Sequence, residues 1–110
     1  MADCVFCKIA AKEIRSAIVY EDEDVVAFED LNPRAPLHVL VIPRRHIEKL
    51  ADLDDAGLGG KLVQGARTVA RKAGHEDFRV VVNNGAQAGQ SVWHLHLHVL
   101  AGRPFTWPPG

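Results

Sequence analysis

Between Val92 and Leu100 the chain reads VWHLHLHVL, a strict alternation of imidazole and aliphatic side chains. Period two is the repeat of a β-strand, whose successive side chains point to opposite faces. The stretch predicts a strand over Val92–Leu100, with Leu95, Leu97 and Val99 in the core and His94, His96 and His98 sharing the other face. Its register is tightly specified, because a one-residue slip would drive three imidazoles into the interior. Whatever the rest of the chain does, it must cover the leucine face.

The remaining segments supply that cover. Val5–Ala11 reads as a short opening helix. AIVYEDEDVVAFED reads as a hairpin, with strands Ile18–Tyr20 and Val25–Phe28 about the acidic turn Glu21–Asp24. Leu31–Pro36 is a loop, because Pro33 and Pro36 withdraw two backbone donors. His38–Ile42 is a near-continuous apolar run ended by Pro43, the pattern of a strand buried on both faces. His46–Leu50 suits one helical turn. The main helix starts near Asp54, where carboxylates can accept orphan N–H groups and meet the positive end of the dipole. Leu58, Leu62, Ala66, Val69 and Ala73 mark its buried face, and Gly74 its left-handed stop. Phe78–Asn83 is a further strand. One long helix among many strands, with a tight hairpin first, predicts an α+β fold. Its sheet is mainly antiparallel, with a short N-terminal helix besides the long one.

Three histidines on one strand face leave three readings. Same-face neighbours lie roughly 6.6 Å apart, from a rise of about 3.3 Å per residue. Two can converge on one metal, whereas three on one ion need strong strand curvature. A plain polar face is the second reading, though Thr, Lys or Glu would serve it as well. The third comes from the preceding loop, NNGAQAGQS. Gly85 and Gly89 allow close backbone approach to an anion, and Asn83, Gln90 and Ser91 add uncharged donors. It is neither a Walker loop nor a dinucleotide fingerprint. Beside a row of imidazoles it describes a phosphate pocket. An imidazole, with an ordinary pKa of about 6.5, can attack phosphorus and split one displacement into two easier steps.

Composition narrows the partners. A chain of 110 residues is the length of one domain, residues 1–110, with limited core of its own. Net charge is −1, so no basic surface exists for counterion release on DNA or RNA. No apolar run reaches the roughly 20 residues that span a bilayer, so no membrane partner is expected. The N-terminus lacks a signal-peptide pattern, which points to the cytoplasm. In that compartment Cys4 and Cys7 read as thiols or metal ligands before a disulfide.

The segments CKIAAKEIRSAIVYEDEDVVAFEDLNPRAPLHVLVIPRRHI, GQSVWHLHLHVLAGR and WPPG together resemble the histidine triad (HIT) superfamily, in particular its Hint branch of purine nucleoside phosphoramidases. The resemblance covers nearly the whole chain. It implies a hydrolase or transferase acting on the P–N bond of purine nucleoside 5′-phosphoramidates, with AMP- or GMP-type ligands and no cofactor for the chemistry. By position, His96 would be the nucleophile and His98 would hold phosphate oxygens. His38 would support His96, while Ser91 and Asn83 would contact the phosphate or leaving group, with Gly89 and Gln90 beside them. Asp30 would take the ribose hydroxyls and Leu31 would pack on the sugar. Val5, Phe6, Ile9 and Phe28 match apolar positions around the base, although each also suits a plain core role, and Asp30 suits a turn cap. Arg15 stands where the family usually has proline, and carries no catalytic role on this reading. Ala101 replaces a usual glycine.

The resemblance also bears on the cysteines. Cys4 and Cys7 supply two of the four ligands a structural zinc takes, and His46 and His94 complete the set in members that keep the pair. A redox pair or two spare thiols are the competing readings. The C-terminus resembles one that approaches the active site across a homodimer, so a homodimer is expected, with the long helix and the last strand as interface candidates. Two other function classes stand beside the phosphoramidase: a zinc-dependent hydrolase with an open metal position, and a nucleotide-binding interaction module without turnover.

Overall fold

The computed structural model describes residues 3–110. Its order is α1 (Val5–Ala10), β1 (Ile18–Glu21), β2 (Val25–Glu29), β3 (Leu37–Pro43), α2 (Ala56–Lys72), β4 (Phe78–Val81) and β5 (Leu97–Ala101). Short 3-10 turns at Leu50–Asp52 and Ala86–Ala88 interrupt the connections. The strands form one sheet, ordered β1-β2-β3-β5-β4, in which every pairing is antiparallel. The expected α+β architecture with one long and one short helix is the observed one.

Local chemistry sets the elements. In the β1–β2 turn, Asp22 Oδ1 accepts the N–H groups of Asp24 and Val25 at 2.8 and 2.9 Å, a side-chain mimic of a backbone turn. Asp55 caps α2 by accepting from Leu58 N at 3.1 Å. Gly74 takes φ +84° just past the last helical turn.

The sheet has two covered faces. Val25, Ala27, Val39, Val41, Leu97 and Val99 pack against Leu58, Leu62, Ala66, Val69 and Ala70 of α2. On the other face Val26, Phe28, Leu40 and Ile42 pack under Phe6, Ile9 and Ala10 of α1. This double cover explains the continuous apolar runs of β2 and β3. A Cβ on Gly65 would lie 3.3 Å from Val41 Cγ1, so this glycine lets α2 settle onto β3. Ala73, expected on the buried face, is the exposed C-cap instead, and Gly65 and Ala70 fill the stripe.

Three further expectations need correction. The last strand begins at Leu97, not Val92, so of the three histidines only His98 is in the ladder. Its partner β3 ends at Pro43, which has no N–H to extend the pairing. Leu95 N instead donates to Ile47 O at 2.6 Å. The helical turn expected at His46–Leu50 forms at Leu50–Asp52, because the backbone of Ile47 is committed to that contact. Lastly, β5 lies between β3 and β4, so it offers no free edge for a partner; the edges are β1 and β4.

Candidate active site

The site forms on the α1 face. In the register of β3 and β5, His38 lies opposite Leu100 and His98 opposite Leu40, which makes the two histidines diagonal neighbours. Their ring centroids are 5.2 Å apart, and those of His96 and His98 are 5.0 Å apart.

The hydrogen-bond network assigns the tautomers. Arg34 N–H donates to His38 Nδ1 at 3.0 Å, so His38 carries its proton on Nε2. That Nε2–H points at His98 Nδ1, 2.9 Å away, with Asp30 Oδ2 at 3.4 Å. His98 therefore accepts on Nδ1 and holds its own proton on Nε2. His96 is set the opposite way: its Nδ1–H donates to the His94 carbonyl at 2.8 Å, leaving Nε2 with a bare lone pair. A proton-bearing nitrogen thus stands beside a proton-free one.

Burial, then the neighbouring His96 and His38, push His98 down to about 4 against the pull of Asp30. His98 is neutral at physiological pH and donates as a neutral N–H. Burial likewise lowers His38, with Asp30 opposing and Arg34 adding to the fall.

A cleft of about 340 Å³ opens in front of His96 and His98. Val5, Phe6 and Ile9 of α1 form one wall, and Phe28 and Leu40 of the sheet form its floor. Asp30, Leu31 and Ser91 line it as well. Phe6 meets Phe28 edge-on at 5.3 Å and His96 at 5.2 Å, so it borders both the apolar part of the cleft and the reactive end. Val5 and Leu31 are exposed at the rim, whereas Phe6, Ile9 and Phe28 are buried. Asp30 makes the turn cap considered for it, Oδ1 accepting from Asn32 N at 2.8 Å, while Oδ2 faces His38.

The cleft also includes Ile14, Ser16, Glu29 and Val92, which the motif reading passed over, and Arg15, to which it gives no catalytic role. One signal was present. Ile18 pairs with Phe28, so the residues just before β1 must run past the same apolar floor.

Other expected residues stand outside the cleft lining. His38 sits behind His98. Gln90 is buried, and its amide nitrogen donates to Glu48 O and Val92 O at 2.7 and 3.0 Å while its oxygen accepts from Gly85 N at 2.9 Å. With its amide spent inside the protein, Gln90 shapes the loop. Gly89 has φ +98°, and a Cβ there would lie 3.9 Å from Asn83 Nδ2, so these two share the loop behind Ser91.

His94 turns away from the cleft. Its Nε2–H donates to Pro43 O at 2.8 Å, which leaves the Nδ1 lone pair facing Cys4 Sγ at 3.3 Å and Cys7 Sγ at 3.5 Å. His46 Nδ1 lies 3.3 Å from Cys7 Sγ, and all four donor atoms fall within 4.8 Å of one another. Tetrahedral zinc with thiolate and imidazole bonds requires S···N separations of about 3.6 Å. Donor types, number, tautomer and spacing all fit such an ion, and the Pro43 carbonyl is the outer hydrogen bond a ligating histidine needs. Burial and the adjacent Cys4 push the Cys7 thiol up, an opposition that a cation between the sulfurs would reverse.

Asp30, His38 and His98 also cluster closely enough to hold a metal by count. The Arg34 N–H keeps the proton of His38 on the nitrogen that would have to ligate, so the group is a hydrogen-bond relay.

Residues 11–105 match the family model of the HIT domain. An uncharacterized HIT-like protein of Synechocystis sp. is 53% identical over 98% of this chain and 97% of its own length. A 14 kDa zinc-binding protein of Zea mays is 46% identical over 96% of this chain and 87% of its own. Among solved structures, a HIT family hydrolase from Legionella pneumophila Philadelphia 1 superposes with a TM-score of 0.94 at 42% identity, covering 98% of this chain and 100% of that one.

Proposed function

This chain belongs to the HIT domain family, and from that premise we propose that it is a hydrolase of the Hint-like branch, cleaving the P–N bond of purine nucleoside 5′-phosphoramidates through a nucleotidyl-histidine intermediate. One observation carries the reading: His96 is held by the His94 carbonyl with Nε2 bare, next to the Nε2–H of a neutral His98. That is a nucleophile paired with an oxyanion donor.

The purine enters among Phe6, Ile9, Phe28 and Val5, with Leu31 against the sugar and Asp30 taking the ribose hydroxyls. His96 Nε2 attacks the α-phosphorus and the P–N bond breaks. The amine leaves with the bonding pair and takes a proton from solvent through the Ser91 hydroxyl. His96 now bears the nucleotidyl group on Nε2 and keeps its Nδ1–H, so it is cationic, and the His94 carbonyl offsets that charge. Charge on the phosphoryl oxygens meets His98 Nε2–H and the Ser91 hydroxyl, both of which line the cleft, while Asn83 and Gly89 support the loop behind Ser91. Water then adds to phosphorus, its proton passes to solvent, the P–N(His96) bond breaks, and the nucleoside monophosphate departs. His38 touches none of the reacting atoms; it is a positioning residue that fixes the His98 tautomer.

Zinc at Cys4, Cys7, His46 and His94 fits as a structural ion, since four protein ligands leave no open position for substrate. That closed set argues against the zinc-dependent hydrolase. Among the described residues no helix is long and apolar enough to cross a membrane. A homodimer suits the β4 edge, where Phe78 and Val80 are exposed. The chain's own tail runs along β4, with Thr106 O accepting from Arg79 at 3.0 Å, and does not line its own cleft.

The test is intact-mass spectrometry of protein mixed with adenosine 5′-phosphoramidate and quenched in alkali. An AMP adduct on wild type that is absent from His96→Ala supports the reading. Turnover without adduct, stopped by a chelator, would favour a metallohydrolase, and nucleotide binding without turnover a binding module.

A further inference from the structure

The metal cluster and the reactive cleft share His94. Its ring offers Nδ1 to Cys4 and Cys7 and gives its Nε2–H to Pro43, while its backbone carbonyl receives Nδ1–H of His96 at 2.8 Å. The residue is completely buried. Its carbonyl belongs to the stretch ahead of β5, outside the ladder, so strand hydrogen bonds do not fix its direction. The backbone bond from Leu95 to Ile47, the Pro43 carbonyl and the two sulfurs do. Both sulfurs sit at the start of α1, a helix of six residues, too short to persist alone. Phe6, between them in sequence, contacts the rings of both His94 and His96, at centroid distances of 5.9 and 5.2 Å. Anything that ties Cys4 and Cys7 to His94 and His46 therefore restrains the carbonyl that selects the His96 tautomer, and the ring packed against it.

We infer that metal occupancy of the Cys4–Cys7–His46–His94 cluster positions the His96 nucleophile through the His94 carbonyl, making His94 a positioning residue as well as a ligand. The inference rests on His96 being the nucleophile. A nucleophile that samples both tautomers has a kcat scaled by the fraction protonated on Nδ1, lower by about twofold for an even mixture and by about tenfold when a tenth remains.

The experiment follows the His96 ring directly. Protein labelled with ¹⁵N on histidine is prepared with zinc, with the larger cadmium ion, after chelation, and as Cys7→Ser. Each form is checked for fold by circular dichroism and for metal by elemental analysis. Long-range ¹H–¹⁵N spectra report the His96 tautomer, and kcat and KM are measured on adenosine 5′-phosphoramidate. Zinc protein should show one tautomer, protonated on Nδ1. Folded chelated protein and Cys7→Ser should show mixed tautomers and a kcat lower by about 2–10-fold, in step with the fraction still protonated on Nδ1. If the metal-free chain unfolds, the cadmium form carries the test, with displaced His96 resonances and an altered kcat. A lower melting temperature with the His96 tautomer and kcat unchanged, in folded chelated protein or in the cadmium form, overturns the inference. So do two other outcomes, each distinguishable: no metal bound removes the ion, and no AMP adduct removes the nucleophile.

Discussion

Acid should destabilise this protein through His98, and the size of the effect follows from its surroundings. His98 titrates at about 4 in the folded chain because burial, His96 and His38 oppose its charged form. In the unfolded chain it returns to about 6.5. Between those values the unfolded state binds more protons than the folded one, so stability rises with pH across that window. The contribution is complete above pH 6.5 and is eroded as pH falls toward 4. From pH 7.5 to 4.5 the loss comes to about 2–3 kcal/mol, a large part of a small domain's stability. The perturbation that isolates it is His98→Gln, which keeps an acceptor for His38 and removes the titration. Urea unfolding of both proteins at half-unit steps of pH gives the difference in stability. That difference should shift toward the variant by about 2–3 kcal/mol as pH falls. Carboxylates and metal ligands titrate in both proteins and cancel to first order. A difference that stays flat across the window would refute the assignment of His98 as a neutral, desolvated donor.

Other perturbations test separate parts of the structure. Gly102→Val places a side chain at φ +97°, with Cβ 2.8 Å from Pro36 Cβ, and should cost at least about 2 kcal/mol; an unchanged melting temperature would remove the close contact between that turn and Pro36. Gln90→Ala removes three hydrogen bonds between the buried Gln90 amide and partly buried backbone groups and should destabilise by about 1–3 kcal/mol in urea unfolding, whereas a loss confined to substrate binding would return Gln90 to the phosphate site. Val80→Lys charges the β4 edge and should turn a dimer into a monomer by light scattering; wild type that is monomeric at every concentration would sink the dimer itself.

Much of this fold is legible because its local signals agree with one another. Asp55 before an apolar 3.6-residue stripe and Gly74 after it mark α2 to within a residue or two, since each answers a specific need of a helix end. The strand at the triad is a different case. Alternation there runs from His94 to Val99, yet pairing starts only at Leu97. An extended backbone alternates its side chains whether or not a neighbour bonds to it. The pattern therefore reports which way each side chain points and is silent on where the partner strand stops, here at Pro43. The same logic separates Gln90 from Ser91. Adjacent polar residues in one loop read alike, and only the positions of Glu48, Val92 and Gly85 show that one of them has no donor to spare.

That break in the ladder is what lets one short motif hold two sites. Had His94 and His96 continued the strand, both rings would stand on one face at a same-face step of roughly 6.6 Å, and both backbone carbonyls would be turned toward neighbouring strands. Off the ladder, His94 rotates toward Cys4 and Cys7, and its carbonyl becomes available to His96. The third histidine stays in β5, where His38 on the neighbouring strand fixes its tautomer and burial keeps it neutral. The spacing of the motif thus matters less as a distance between ligands than as a way of placing three identical rings in three environments. Each ring is assigned its proton by a different backbone group: the Pro43 carbonyl for His94, the His94 carbonyl for His96, and, through His38, the Arg34 N–H for His98.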